Sequence, residues 1–216
     1  TIVLDDVGRG SSGGDLVVGG LSVGETSTSK GVQRFNITVE DNSKLETINS
    51  TNNTLREVSI VNGTTSRVNN AYNDNVKDAG NLTVTGTVTG PVADNGNNVN
   101  SDNRLPGLNT VEHGAYGFTD VKLIDASTFK GKLDLDAQLT DRVVAKYMTS
   151  TQMSLTDAQP AAAADDNVSF DYLMGTNNDT FALDISASNL AYAGTTTRED
   201  FVLNIAGNAG NDKITA

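Results

Sequence analysis

Short runs in which apolar and polar residues alternate recur along the chain, the pattern of half-buried β-strands. They fall at 1–4, 16–18, 34–40 (RFNITVE), 55–61 (LREVSIV) and 82–89 (LTVTGTVT). Phe35, Val58 and Leu82 open three similar segments at steps of 23 and 24 residues. Such a step fits one coil of a solenoid, in which each turn of chain adds a strand to a parallel stack. The segment 43–50 (SKLETINS) also alternates, so each coil can supply two strands.

From 91 to 118 the pattern stops. Pro91, Asn95-Gly96-Asn97-Asn98 and Leu105-Pro106-Gly107 are turn and breaker signals with little apolar content, and they predict a long loop or excursion. Alternation returns at 121–125 (VKLID) and 132–136 (KLDLD), split by a turn at Gly131. The stretch 139–165 reads as a short helix plus a loop. Near the end, Phe181-Ala182-Leu183-Asp184-Ile185 and Phe201-Val202-Leu203-Asn204-Ile205 share F-x-L-[D/N]-I, 20 residues apart. Residues 186–192 between them read as one or two helical turns, with Asp184 or Ser186 as the cap.

Composition narrows the partners. The 216 residues suffice for a substantial core, in one large domain or two small ones. A formal net charge of −12 disfavours nucleic acid and anionic membranes as partners. It suits cation binding or plain solubility. With no Cys and a single His, neither a disulfide framework nor a thiolate metal site is open to the chain. No run approaches the roughly 20 apolar residues of a membrane span. The start at Thr1 leads us to expect a processed product or a piece of a longer polypeptide.

Two motifs imitate catalytic signatures. Gly8-Arg9-Gly10-Ser11-Ser12-Gly13 matches the dinucleotide-binding fingerprint, but the following Asp15-Leu16-Val17-Val18 reads as a strand where that fold needs a helix. Gly20-Leu21-Ser22-Val23-Gly24 matches a nucleophile elbow; the α/β context is missing and His113 is the one available base. A polysaccharide-active enzyme would need acids from separate strands, Asp125, Asp134 and Asp136 being the candidates. Asp134 and Asp136 alternate with leucines and so share one face, which is equally the solvated face of a half-buried strand.

The residues 207–215 read Gly-Asn-Ala-Gly-Asn-Asp-Lys-Ile-Thr. This is one letter from the calcium β-roll nonapeptide G-G-x-G-x-D-x-U-x, with Asn208 in place of the second glycine. Glycines permit the tight turn, and Asp supplies a hard oxygen ligand. A weaker version runs from Gly175 through Asn178 and Asp179 to Phe181. The candidate metal residues are Asp212, Gly210, Asn208, Gly207, Asp179 and Gly175, with calcium as the candidate ion. Asp5, Asp6 and Asp15 beside Gly13 and Gly14 form a second acidic, glycine-rich patch.

These turns, with Asp125-Ala126-Ser127, Gly131 and the segment 50–58 (STNNTLREV), resemble the repeat-rich surface proteins of Gram-negative bacteria. That group includes S-layer proteins and adhesins related to the RTX group. Tandem nonapeptides are missing, which departs from RTX arrays. The resemblance implies a secreted, cell-surface, self-assembling protein, with calcium supporting folding or lattice contacts.

The expected fold is all-β, a parallel β-solenoid of β-helix or β-roll type with inserted loops; an antiparallel β-sandwich is the alternative. The expected layout is an N-terminal β region over 1–90, an excursion over 91–118 and a C-terminal β region over 119–216, or one continuous domain. The expected function is a non-enzymatic structural component of a surface layer or extracellular assembly. An adhesin or carbohydrate-binding module that takes a cell-surface glycan is one alternative, and a β-helix enzyme another. The stop at Ala216, on a rung, leads us to expect that more chain or a neighbouring subunit covers the open edge.

Overall fold

The computed structural model describes residues 1–8, 13–18, 31–50, 53–63, 80–86, 117–139, 143–147, 168–185 and 201–216. Thirteen strands and one short helix lie in these residues: β1 (Ile2–Leu4), β2 (Gly14–Val18), β3 (Arg34–Val39), β4 (Ser43–Ser50), β5 (Glu57–Asn62), β6 (Leu82–Val84), β7 (Phe118–Thr119), β8 (Leu123–Asp125), β9 (Leu133–Gln138), α1 (Val143–Tyr147), β10 (Val168–Leu173), β11 (Thr180–Asp184), β12 (Phe201–Ala206) and β13 (Lys213–Thr215). Most of the excursion, His113, the Ser22 motif, 160–164 and 186–192 lie outside the described residues.

The strands sort into two sheets. One runs β1-β3-β5-β8-β10-β12, the other β2-β4-β6-β9-β11-β13, with β7 beside β9. Every pairing among the described strands is parallel. The chain therefore lays one strand in the first sheet, crosses, lays one in the second, and returns to start the next layer. Antiparallel hairpins, the alternative expected from sequence, are not what these strands form.

Register follows the alternation of side chains, because a slip of one residue would turn a strand's apolar set outward. In the first sheet Phe35, Val58, Ile124, Tyr172 and Ile205 form one inward row. In the second, Leu45, Val84, Leu135, Phe181 and Ile214 form another. The two rows meet: the Tyr172 and Phe181 rings lie 5.2 Å apart across the gap between sheets. Phe35, Val58, Ile124, Leu135, Tyr172 and Phe181 are buried, each contributing roughly 1.5–3 kcal/mol of apolar transfer. Both faces of a parallel pair cannot be apolar here, since outward positions such as Lys44, Thr83, Asp134, Thr180 and Lys213 stack in their own row.

Two sequence expectations change. Phe35 and Val58 are register partners, so the step of 23 is a true layer repeat. Leu82, 24 residues on, instead enters the second sheet beside Ser43 and Leu133. The F-x-L-[D/N]-I echo likewise joins strands of different sheets, β11 and β12. Stacking in the last two layers runs at 33 residues, as in the Asp171–Asn204 and Asp179–Asp212 hydrogen bonds.

Phe118, placed in the excursion from sequence, belongs to β7. Strand β6 pairs with the first half of β9, and β7 pairs with its second half at Ala137 and Gln138. Gly117 bridges to Thr47 of β4. So β6 and β7, on either side of the excursion, fill one layer between β4 and β9. Both sheets run on across it. Gly117 and Asp120, with φ of 51° and 50°, bracket β7 in left-handed conformation and turn the chain into and out of that layer.

Candidate functional site

The six candidate metal residues converge on one corner, where the chain crosses from the first sheet to the second in the last two layers. Asp179 begins the turn into β11 and Asp212 the turn into β13. Asp212 Oδ1 accepts a hydrogen bond from the Asp179 backbone N–H at 2.8 Å. Asp179 Oδ1 accepts from Leu133 N–H and its Oδ2 from Gly175 N–H, both at 2.8 Å. Asp179 is 2% exposed, so these bonds satisfy a buried carboxylate and two buried donors together.

The same corner carries the pattern through earlier layers. Asn42 Oδ1 accepts from Asn81 N–H at 2.9 Å, and Asn81 Oδ1 accepts from Lys132 N–H at 2.8 Å. Asn and Asp thus recur at the corner, where a short side-chain oxygen reaches the backbone of the adjacent layer beside the backbone bonds from Ser43 N–H to Asn81 O, Leu82 N–H to Lys132 O and Lys213 N–H to Asp179 O. The layer at Lys132 and Leu133 donates in both directions, to Asn81 below and Asp179 above.

The other four residues shape the turn. Asn208 replaces the second glycine of the nonapeptide and has φ 63°, a left-handed conformation that Asn tolerates better than most residues. Its Nδ2 donates to Met174 O at 2.6 Å. Gly210 has φ 126°, which a side chain would strain. A Cβ at Gly175 would stand 2.7 Å from Phe129 O, so the close passage of these two layers requires glycine there. Gly207 sits against the Asp212 carboxylate.

Burial is the largest influence on the Asp179 carboxyl and raises its pKa; the Leu133 and Gly175 N–H groups pull it back, and neighbouring Asp212 raises it further. Among the described residues no group of three or more His, Cys, Asp or Glu converges as a metal cage. Each Asp179 oxygen accepts from a backbone N–H donor. The carboxylates at this corner serve as acceptors for backbone N–H donors of adjacent layers.

Asp125 and Asp134/Asp136 are not brought together. Asp134 and Asp136 share the half-buried outer face of β9, in the second sheet. Asp125 stands in the first sheet, where its Oδ1 accepts from Ser127 N–H at 3.1 Å and from Ser127 Oγ at 2.7 Å. This explains the Asp-Ala-Ser pattern locally: Asp closes the turn, Ala126 is fully buried, and Ser satisfies the carboxylate.

A second polar cluster escaped sequence reasoning. Lys146 Nζ, on α1, donates to Leu55 O at 2.6 Å and Asp120 O at 2.7 Å. Tyr147 Oη donates to the same Asp120 carbonyl at 2.6 Å. The buried Asp120 carboxylate accepts from Asn53 Nδ2 at 2.7 Å, and Asn53 Oδ1 accepts from Asn49 Nδ2 at 3.0 Å. Arg56 lies over the Tyr147 ring at 5.1 Å and donates to Lys146 O at 3.0 Å. Burial lowers Lys146 to a pKa of about 7, Asp120 raises it in part, and Arg56 lowers it further. The cluster ties α1 to β4–β5 and to the β7–β8 turn. Its members are spread over nearly a hundred residues with no motif, so only the fold reveals it.

No protein-family model matches the chain, and no curated protein or solved structure matches it. No helix among the described residues is long and apolar enough to cross a membrane.

Proposed function

We propose that the chain is a two-sheet parallel β-solenoid and serves as a structural, self-assembling component of a bacterial cell-surface layer or extracellular assembly. The carrying observation is the corner ladder. Asn42, Asn81, Asp179 and Asp212 join successive layers through side-chain acceptors, while the inward rows stack apolar residues layer on layer. These devices make a stiff, extensible body, because each layer contacts only its neighbours and the stack lengthens without a new core design. The polar groups whose pKa values burial shifts, Asp179, Lys146, Tyr147 and Tyr172, are engaged with backbone groups of the fold, which favours a structural role over catalysis.

Calcium enters this reading as a support for assembly between copies, not as a requirement of the Asp179 corner. The test is a thermal melt in millimolar calcium and in excess chelator, with light scattering on both samples. A higher melting temperature and larger particles in calcium are the expected result, because a ligand that binds only the native state stabilises it. Identical melts in the two buffers would remove calcium from the reading. Folded monomers in both, at every concentration, would overturn self-assembly itself.

A further inference from the structure

Two packing requirements meet at the end of β5 and together create a chemically labile dipeptide. Asn62 is the last residue of β5, and its Oδ1 accepts a hydrogen bond from Lys130 N–H in the next layer at 2.7 Å. Asn81 makes the same kind of bond to Lys132 N–H, two residues further on. Gly63 follows. Its N–H donates to Val39 O at 2.7 Å. A Cβ there would stand 2.5 Å from Glu40 Cγ and 3.1 Å from Glu40 Cα, so the close passage of the β3 and β5 layers favours glycine. The layer contact thus asks for Asn at 62 and the packing for Gly at 63. In Asn-Gly no side chain hinders the backbone nitrogen from closing a ring on the carboxamide before it, and the glycine backbone turns freely. Among the described residues Asn62 is the one Asn that Gly follows.

The closed corner restrains both reacting groups. Gly63 N, the nucleophile, is tied through its N–H to Val39 O, and the Asn62 carboxamide, the electrophile, is tied through Oδ1 to Lys130 N–H. The carboxamide is held on one side only. Asn62 Nδ2 is buried and has no hydrogen-bond partner among the described residues. An unpaired buried donor regains water when the structure opens, which lowers the cost of local opening at this corner.

We propose that Asn62-Gly63 is a self-modification site, at which local opening of the corner converts Asn62 to aspartate or isoaspartate. Once the bonds to Val39 and Lys130 break, Gly63 N attacks Asn62 Cγ and its proton passes to water. A new C–N bond forms, the Cγ–Nδ2 bond breaks, and Nδ2 leaves as ammonia. Water then opens the cyclic imide at one of its two carbonyls. Attack at Cγ gives aspartate; attack at the main-chain carbonyl gives isoaspartate. Both products add a negative charge next to Gly63 and Glu40, in a chain of net charge −12. Isoaspartate also lengthens the main chain by one carbon, which displaces Gly63 from its bond to Val39. The step needs only water and does not depend on self-assembly.

The test uses the wild-type chain. Trypsin releases Asn62 in the peptide 57–67, between Arg56 and Arg67, and mass spectrometry with fragmentation separates the amide, aspartate and isoaspartate forms. The rate of conversion in mildly alkaline buffer is compared in the native chain, in urea below the unfolding transition and in the fully unfolded chain. The native rate should be at least about tenfold below the unfolded rate, because only the open fraction reacts. It should rise in urea before the global transition. The converted protein, isolated by ion exchange, should melt below the unmodified protein. Equal rates in the native and unfolded chains would overturn the restraint by Val39 and Lys130. Conversion confined to the globally unfolded chain would overturn local opening, and with it the site. Equal melting temperatures would overturn the loosening of the corner.

Discussion

Replacing Asp179 by Ala removes the acceptor for two backbone donors, Leu133 N–H and Gly175 N–H, each 2.8 Å from a carboxylate oxygen. Asp179 is 2% exposed, so water cannot readily take its place. A buried donor left without a partner costs about 1–3 kcal/mol. Two of them give a gross loss of about 2–6 kcal/mol, partly offset because the variant no longer buries a carboxylate. We expect Asp179→Ala to lose about 2–4 kcal/mol. Asp179→Asn retains one carbonyl oxygen and turns an amide toward the other donor, so it should lose about 1–3 kcal/mol. Urea denaturation at pH 7 measures both, in chelator and in calcium. If the side chain acts as an acceptor between layers, the losses are the same in the two buffers. A loss below about 0.5 kcal/mol for Asp179→Ala, or one that appears only in calcium, would refute the ladder argument.

Lys146 provides a pH prediction. Its folded pKa, lowered to about 7 by burial, lies below the ordinary lysine value of about 10.4. Between these values the unfolded chain holds the extra proton, so stability rises with pH by at most about 1.4 kcal/mol per unit. Above about pH 10 the raised pKa values of Tyr147 and Tyr172, both set first by burial, act in the opposite sense. Lys146→Met should flatten the rise between pH 7 and 10 in a series of urea titrations; an unchanged slope would contradict the assignment. At Asn208, Ala loses the bond to Met174 O and inherits φ 63°, each worth about 1 kcal/mol. Asn208→Ala should therefore cost about 2 kcal/mol and Asn208→Gly less than about 1 kcal/mol, measured in the same denaturation assay.

Alternation of apolar and polar residues was enough to find β3, β4 and β5 and to place two strands in each layer, since a half-buried strand must repeat every second residue. It also made Asp134 and Asp136 neighbours on one face. The glycines and Asn208 marked the corner at 207–212, because left-handed turns admit few residue types. Periodicity does not carry the destination of a strand. Leu82 and Phe201 look like continuations of the segments before them, yet each enters the opposite sheet, for the pairing is settled by which inward row has a vacancy. Nor did spacing foretell what Asp179 does, since its partners Leu133 and Gly175 come from the adjacent layer and from its own turn.

The sequence by itself determined that the chain is built of strands, which side of many of them faces inward, and where tight turns fall, because these depend on neighbours within a few residues. Only the tertiary structure decided the parallel sense of every described pairing, the layer filled jointly by β6 and β7, and the joining of Lys146 to Leu55 and Asp120. Those features depend on contacts between residues far apart in the chain, whose energies exist only once the layers have stacked.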